Sequence, residues 1–231
     1  HINLSKFPYL QRFSQFISLD NKSQSLQKIM KLYWGYEEFR PNQEKICLHL
    51  LQKKSALILM PTGAGKSLCY QLPSLLLKGV CLVISPLLAL MEEASLNLRK
   101  LGLQAECIHS GQDQSKNQKT LEDYKYGKLD FLFIAPERLT QKNFIYKLEQ
   151  VPISLIAIDE AHCILDWGHD FRPDYENLSK KLPLKQKPTV VALTATADKK
   201  ARQQILENLE ISDAQIFISS PTRKNISIEI V

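Results

Sequence analysis

Met60-Pro-Thr-Gly-Ala-Gly-Lys-Ser67 follows an apolar run, Ser55-Ala-Leu-Ile-Leu-Met60, and precedes Leu68-Cys-Tyr-Gln-Leu72. The run reads as a buried strand and the segment after it as a helix, so the glycines fall in the turn between. Glycine lets the backbone curl with its N–H groups pointing inward, at the positive end of the following helix. Such a nest suits phosphate. Thr62, Gly63, Ala64 and Gly65 form it, Lys66 reaches the β/γ-phosphates of a nucleotide, and the Ser67 hydroxyl is placed to hold Mg²⁺. The strict pattern G-x-x-x-x-G-K-[ST] asks for glycine where this chain has Met60, so a plain Gly-rich turn stands as the alternative on this stretch alone.

Working outward, Ile153-Ser-Leu-Ile-Ala-Ile-Asp-Glu-Ala-His162 is an apolar strand ending in two carboxylates. Acids at the C-terminal end of a buried strand sit where open α/β sheets bind ligands. Asp159 is placed to hold Mg²⁺ through its water shell, and Glu160 to orient and deprotonate an attacking water. The plainer alternative is an acidic pair capping a helix that begins near Ala161. Two such signals on two strands of one sheet reinforce each other.

The 231 residues suit one large or two small domains, with apolar residues at 44% and charged residues at 23%, ordinary for a soluble globular chain. No apolar run approaches the roughly 20 residues that cross a bilayer. The first residues lack the layout of a signal peptide, so a cytoplasmic (nucleoid) or nuclear location is expected rather than a secreted one. His1 is no initiator Met, and the chain reads as a piece of a longer protein. Cys47, Cys69, Cys81, Cys107 and Cys163 show no C-x-x-C pairing, which argues against zinc and leaves magnesium as the expected metal. The net charge of +6 permits an acidic polymer as partner, although the Lys residues of 178–187 read equally well as a solvated face.

From Ser55 onward short apolar runs alternate with amphipathic segments. Strands are expected at Ala56–Met60, Val80–Ser85, Ala105–His109, Phe131–Ala135, Ile153–Asp159, Thr189–Leu193 and Gln215–Ser219. Helices are expected at Ser25–Tyr33, Lys66–Leu77, Leu87–Leu101, Gln114–Tyr126 and Lys199–Leu209. Strands without strict alternation imply burial on both faces, hence an α/β fold with a parallel sheet between two helical layers. Residues 1–24 form an N-terminal extension, either helical or loosely ordered, before a domain spanning 25–220. The last run, Arg223 to Val231, resembles the first strand of something that continues.

With these segments in place, the chain resembles the first RecA-like lobe of the RecQ family of DNA helicases, in helicase superfamily two, from about Leu26 onward. Six ordered blocks carry the resemblance. Tyr33-Trp-Gly-Tyr-Glu-Glu-Phe-Arg-Pro-Asn-Gln43 grips adenine in the family, implying Tyr36 and Arg40 on the base and Gln43 at its edge; helix packing is the alternative for Tyr36 and Phe39. The phosphate loop is the second block. Val83-Ile-Ser-Pro-Leu-Leu-Ala-Leu-Met91 resembles a motif that touches the DNA backbone, where Ser85 is either a phosphate contact or a helix N-cap; Ala94 departs from the family's usual Gln. In Phe133-Ile-Ala-Pro-Glu-Arg-Leu139, Glu137 and Arg138 need do no more than open a helix. The fifth block runs from Asp159 to Tyr175 and is the DEAH-type segment. There His162, Trp167, His169, Phe171 and Arg172 imply DNA binding coupled to the catalytic acids; a core-packed aromatic loop is the alternative, above all for Tyr175. In Ala192-Leu-Thr-Ala-Thr-Ala197, Thr194 and Thr196 relay nucleotide state or simply favour a strand.

The resemblance implies Mg²⁺-dependent ATP hydrolysis coupled to 3′→5′ movement on single-stranded DNA and opening of duplex DNA, with roles in DNA repair and recombination. It also implies a second RecA-like lobe that supplies an arginine finger, so this lobe alone is expected to be nearly inactive. An RNA helicase of the same superfamily and a nucleotide-gated scaffold without enzymatic activity are the competing readings.

Overall fold

The computed structural model describes residues 2–16, 21–165, 170, 172–183, 185 and 188–219. Among them, strands β1 (Ala56–Leu59), β2 (Val80–Ile84), β3 (Ala105–Ile108), β4 (Phe131–Ile134), β5 (Ile153–Ile158), β6 (Thr189–Thr194) and β7 (Gln215–Ile218) form one sheet. Every pairing is parallel, in the order β3-β4-β2-β5-β6-β1-β7. The helices are α1 (Lys22–Trp34), α2 (Gln43–Leu51), α3 (Leu68–Leu76), α4 (Leu88–Lys100), α5 (Gln114–Lys125), α6 (Lys142–Leu148), α7 (Leu178–Lys181) and α8 (Lys199–Asn208).

The unbroken apolar character of the strands follows from two buried faces. Leu57, Leu82, Ile84, Ile156 and Ile158 meet side chains of α5–α8 on one face, such as Tyr124, Leu148, Leu178 and Ile205. On the other, Ile58, Val83, Leu155 and Ala157 meet α1–α4 through Leu26, Ile46, Leu72 and Met91. This is the α/β sandwich expected from the sequence.

Each expected strand is present, with small shifts at the ends. Met60, Ser85 and Asp159 stand one residue beyond their ladders, whereas β6 runs past Leu193 to Thr194. Those three residues are therefore loop residues on rigid strand ends. Helices α2 and α6 were not anticipated: α2 starts behind Asn42 at φ 70 with no side-chain cap, and the seven-residue α6 is too short to show a period. Tyr36 and Phe39 lie in the bend between α1 and α2; Phe39 packs partly buried against the core on the α1–α4 side, in line with the packing alternative, whereas Tyr36 stands exposed. The run after Arg223 lies outside the described residues.

The N-terminal extension is folded onto the core. Leu4–Lys6 and Pro8–Phe16 are 3-10 turns that bury Phe7, Leu10 and Phe13. α1 then begins at Lys22 because the Asn21 side chain accepts from Gln24 N at 3.0 Å. Arg12 reaches Asp130 at the start of β4 with an N–O distance of 2.5 Å, and the Tyr9 hydroxyl donates to the same carboxylate at 3.3 Å. Asp130 also accepts from Gln104 N at 2.8 Å. Burial pushes the Asp130 carboxyl upward, opposed by Arg12, Gln104 N and Tyr9.

A group whose folded pKa is raised loses its stabilising contribution as pH rises through that value. Removing Arg12 deletes a lowering influence, so the loss in Arg12→Ala is largest near neutral pH and shrinks toward pH 4. Urea melts of this variant at pH 7 are expected to show about 1–3 kcal/mol less stability, the cost of a buried acceptor stripped of its partner. Asp130→Asn, which keeps an acceptor for Gln104 N without the charge, is expected to lose less than Arg12→Ala.

Candidate active site

The carboxyl edge of the sheet builds the site. β1 delivers the chain to Met60, which is 2% exposed and donates its N–H to Thr194 O at 3.2 Å, tying the start of the loop to the end of β6. A glycine is therefore not needed there: Met60 fills the core beside Cys69. Gly63 and Gly65 have φ of 80° and 81°, the left-handed turn that side chains avoid. At Gly65 a Cβ would also stand 2.4 Å from Gln43 Nε2. The loop ends at Ser67, the N-cap of α3, whose hydroxyl makes no capping bond and is left for another ligand.

A cleft of about 650 Å³ is lined by Tyr36, Arg40, Gln43, Thr62, Gly63, Gly65, Lys66, Ser67, Asp159 and Glu160. The lysine and the acid pair, 93 positions apart in sequence, thus meet in one cavity. Of Thr62 to Ser67, Ala64 alone lies outside this lining; it packs partly buried against the core. Tyr36 is 50% exposed at the cleft wall. Arg40 donates to Gly63 O at 2.6 Å, and Gln43 donates to Gly65 O at 3.0 Å while accepting from Arg40 N at 2.8 Å. A primary amide offers two N–H donors and two lone pairs. One of each is used here, leaving one donor and one acceptor, the combination that the edge of adenine requires.

Asp159 leaves β5 donating its N–H to Ile84 O at 2.9 Å, and its carbonyl accepts from the Tyr175 hydroxyl at 3.0 Å. Burial raises its carboxyl pKa; Lys66 is the main opposing influence, and Glu160 adds to the rise. Ser67 and Asp159 form an all-oxygen donor pair facing one cavity, the chemistry Mg²⁺ prefers. A divalent cation there also supplies the positive charge that a buried carboxylate needs.

Glu160 adopts φ 48° and ψ 46°, uncommon for a residue with a side chain and often found at functional positions. Its carboxylate lies 3.3 Å from His162 Nδ1, which is also 3.0 Å from Thr194 Oγ1. Thr194 is fully buried and donates to Thr196 O at 3.1 Å. With its hydrogen committed there, its oxygen accepts, so His162 carries its proton on Nδ1. His162 Nε2 stands 3.6 Å from Asp170. The expected residues His162, Thr194 and Thr196 thus form one chain ending on Glu160.

Arg172 donates to Pro86 O at 3.1 Å, joining the segment after the acids to the β2–α4 loop. Trp167, His169 and Phe171 lie outside the described residues. Tyr175 is 0% exposed, so the core-packed alternative holds for this aromatic. Its hold on Asp159 was not visible in sequence. Ser85 is 3% exposed and its Oγ has no hydrogen-bond partner. α4 begins only at Leu88, behind Leu87, so the N-cap alternative for Ser85 is overturned.

Comparison with known proteins follows this geometry. The family model for DEAD/DEAH box helicases matches residues 40–205. The chain is 37% identical over 228 residues to the ATP-dependent DNA helicase RecQ of Pasteurella multocida, covering 94% of this chain and 36% of that protein. It is 41% identical over 206 residues to the probable ATP-dependent DNA helicase RecS of Bacillus subtilis, covering 89% and 41%. It therefore spans roughly a third to two fifths of these relatives. Among solved structures, the Hef helicase domain of Pyrococcus furiosus shares the fold with a TM-score of 0.61 at 20% identity, over 79% of this chain and 38% of that one. A hypothetical ATP-dependent RNA helicase from Sulfolobus tokodaii does so with a TM-score of 0.63 at 19% identity, over 83% and 56%. The chain belongs to the DEAD/DEAH box helicase family, as a RecQ-like RecA-type lobe.

Proposed function

We propose that this chain is the ATP-binding lobe of a DNA helicase that couples Mg²⁺-dependent ATP hydrolysis to 3′→5′ translocation on single-stranded DNA and duplex opening. The observation that carries this reading is the single cleft shared by Lys66, Ser67, Asp159 and Glu160. Residues 25–220 form the lobe, and 221–231 begin the connection to a second RecA-like lobe.

Tyr36 and Arg40 pack on the base while the free donor and acceptor of Gln43 read its edge. The N–H groups of Thr62 to Gly65 and the N-terminus of α3 cradle the phosphates. Lys66 offsets charge that develops on the transferred phosphoryl group. Ser67, and Asp159 through water, would hold Mg²⁺, which would supply positive charge against that of the phosphates. Glu160 orients the attacking water and takes its proton. His162 holds that carboxylate and answers to Thr194 and Thr196 on β6, so a shift in the neighbouring DNA-binding segment reaches the base. Ser85, Trp167, His169, Phe171 and Arg172 belong to the DNA path in this reading. Among the described residues no helix is long and apolar enough to cross a membrane; we place the protein with its DNA, in nucleoid or nucleus.

In the full-length protein, Glu160→Ala is expected to lower DNA-stimulated ATP turnover by about 10²–10⁴, the usual weight of a general base, with nucleotide still bound. A scaffold would be indifferent to this change. Lys66→Ala is expected to abolish turnover and weaken nucleotide binding. The isolated lobe is expected to turn over about 10³–10⁵ more slowly than the full-length protein, for want of an arginine finger. Competition between single-stranded DNA and RNA separates the RNA-helicase alternative, which requires RNA to win.

The amide of Gln43 generates a separate expectation. Gln43→Ala should lose roughly 1–3 kcal/mol of preference for ATP over GTP. Paired binding titrations with the two nucleotides measure it, and an unchanged ratio removes Gln43 from base recognition.

A further inference from the structure

Glu160 holds φ 48° and ψ 46°, a left-handed backbone that a residue with a side chain keeps only where its surroundings impose it. The peptide units on either side of it are both pinned. After Glu160, Cys163 N donates to Glu160 O at 2.9 Å within the 3-10 turn Ala161–Ile164. Before it, the Asp159–Glu160 peptide is held at both of its polar groups. Glu160 N donates to Asp159 Oδ1 at 3.0 Å, and Asp159 O accepts from the Tyr175 hydroxyl at 3.0 Å. A trans peptide is planar with its C=O and N–H on opposite sides, so two such bonds fix its rotation. Asp159 is also anchored upstream, its N–H donating to Ile84 O at 2.9 Å. Any rotation left to this peptide therefore falls on φ of Glu160 and on where its side chain points. Tyr175 reaches the peptide from 16 positions away. Its own backbone is tied down, since Tyr175 N donates to Arg172 O at 2.9 Å and Arg172 N to Cys163 O at 3.1 Å. Its ring is fully buried in the core on the α5–α8 side. A phenylalanine ring would fill that space; the hydroxyl adds one bond, aimed at the peptide between the two acids.

We propose that Tyr175 is a positioning residue for Glu160: its hydroxyl locks the Asp159–Glu160 peptide in the orientation that keeps Glu160 left-handed and its carboxylate 3.3 Å from His162. This rests on the reading of Glu160 as the group that activates water. Without the hydroxyl the peptide is free to rotate and Glu160 to relax to an ordinary φ, which carries its carboxylate away from the place where it works. A misplacement of about 1 Å in a catalytic constellation costs up to about 10²-fold in rate.

The test uses the full-length protein and compares Tyr175→Phe with Tyr124→Phe. Tyr124 is equally buried on the same side of the sheet, and its hydroxyl donates to Leu148 O at 2.7 Å, at the end of α6. Each variant thus removes one buried hydroxyl–carbonyl bond, only one of them at the acid pair. Turnover is read at a temperature where circular dichroism shows both variants folded. Tyr175→Phe is expected to lower DNA-stimulated kcat by about 10–10²-fold, with KM for ATP and affinity for single-stranded DNA unchanged. Tyr124→Phe is expected to keep the wild-type kcat. In a Glu160→Ala background, Tyr175→Phe is expected to change turnover no further, because its effect passes through that side chain. Equal kcat in the two tyrosine variants, a loss confined to KM, or a Tyr175→Phe loss that persists in full in Glu160→Ala overturns the inference and leaves the role of Glu160 intact. If Glu160→Ala itself turns over at the wild-type rate, the functional reading fails and takes this one with it.

Discussion

Parallel register at one edge of the sheet is the constraint on which the rest depends. β1 pairs with β6 so that Leu59 lies opposite Thr194, β6 with β5 so that Ala192 lies opposite Ile158, and β5 with β2 so that Ile158 lies opposite Ile84. Four strands therefore end almost level, and the residues just beyond them are Met60, the Asp159–Glu160 pair and Ser85. A strand slipped by one residue would turn its acid or hydroxyl to the opposite face. Burial on both faces prevents that slip, since it would exchange the two apolar sets that meet different helices.

The same burial sets the chemistry. Asp159 is held in a setting where burial raises its pKa, with Lys66 as the main favourable charge. A charge kept from water is costly unless paired, so this carboxylate favours a cation placed against it. Glu160, next in sequence, takes the opposite arrangement: its backbone is left-handed and its carboxylate faces His162. Two adjacent acids thus sit in different settings, one buried with Lys66 opposing its burial and one against His162. The histidine, bonded to Thr194 between β1 and β5, links the second acid to the strand that also receives the N–H of Met60. The start of the glycine-bearing loop and the Glu160–His162 pair are thus both tied to the end of β6.

Much of this was legible in the residues. The Gly-Ala-Gly-Lys-Ser turn and the acid pair identified two strand ends, and uninterrupted Leu, Ile and Val placed them in a parallel sheet. The end of α1 was legible, since Gly35 after Trp34 is its left-handed C-cap, but the start of α2 was not, because Asn42 opens it at positive φ with no side-chain capping bond. Nor could local pattern give the burial of Ser85 or the grip of Tyr175 on the Asp159 carbonyl. Both depend on which strands are neighbours in space, and strand order is not written in any local run. The Arg12–Asp130 pair joins residues 118 apart and was invisible for the same reason.

A double-mutant cycle on the two ends of the cleft addresses the central claim most directly. Affinity for Mg²⁺-ATP analogue is measured in full-length wild type, Lys66→Ala, Asp159→Ala and the double variant. If one metal-bound triphosphate bridges both residues, their effects are coupled by about 0.5–3 kcal/mol, and the coupling falls when Mg²⁺ is removed. Effects that add to within about 0.5 kcal/mol, with or without the metal, would mean that Lys66 and Asp159 do not share a ligand.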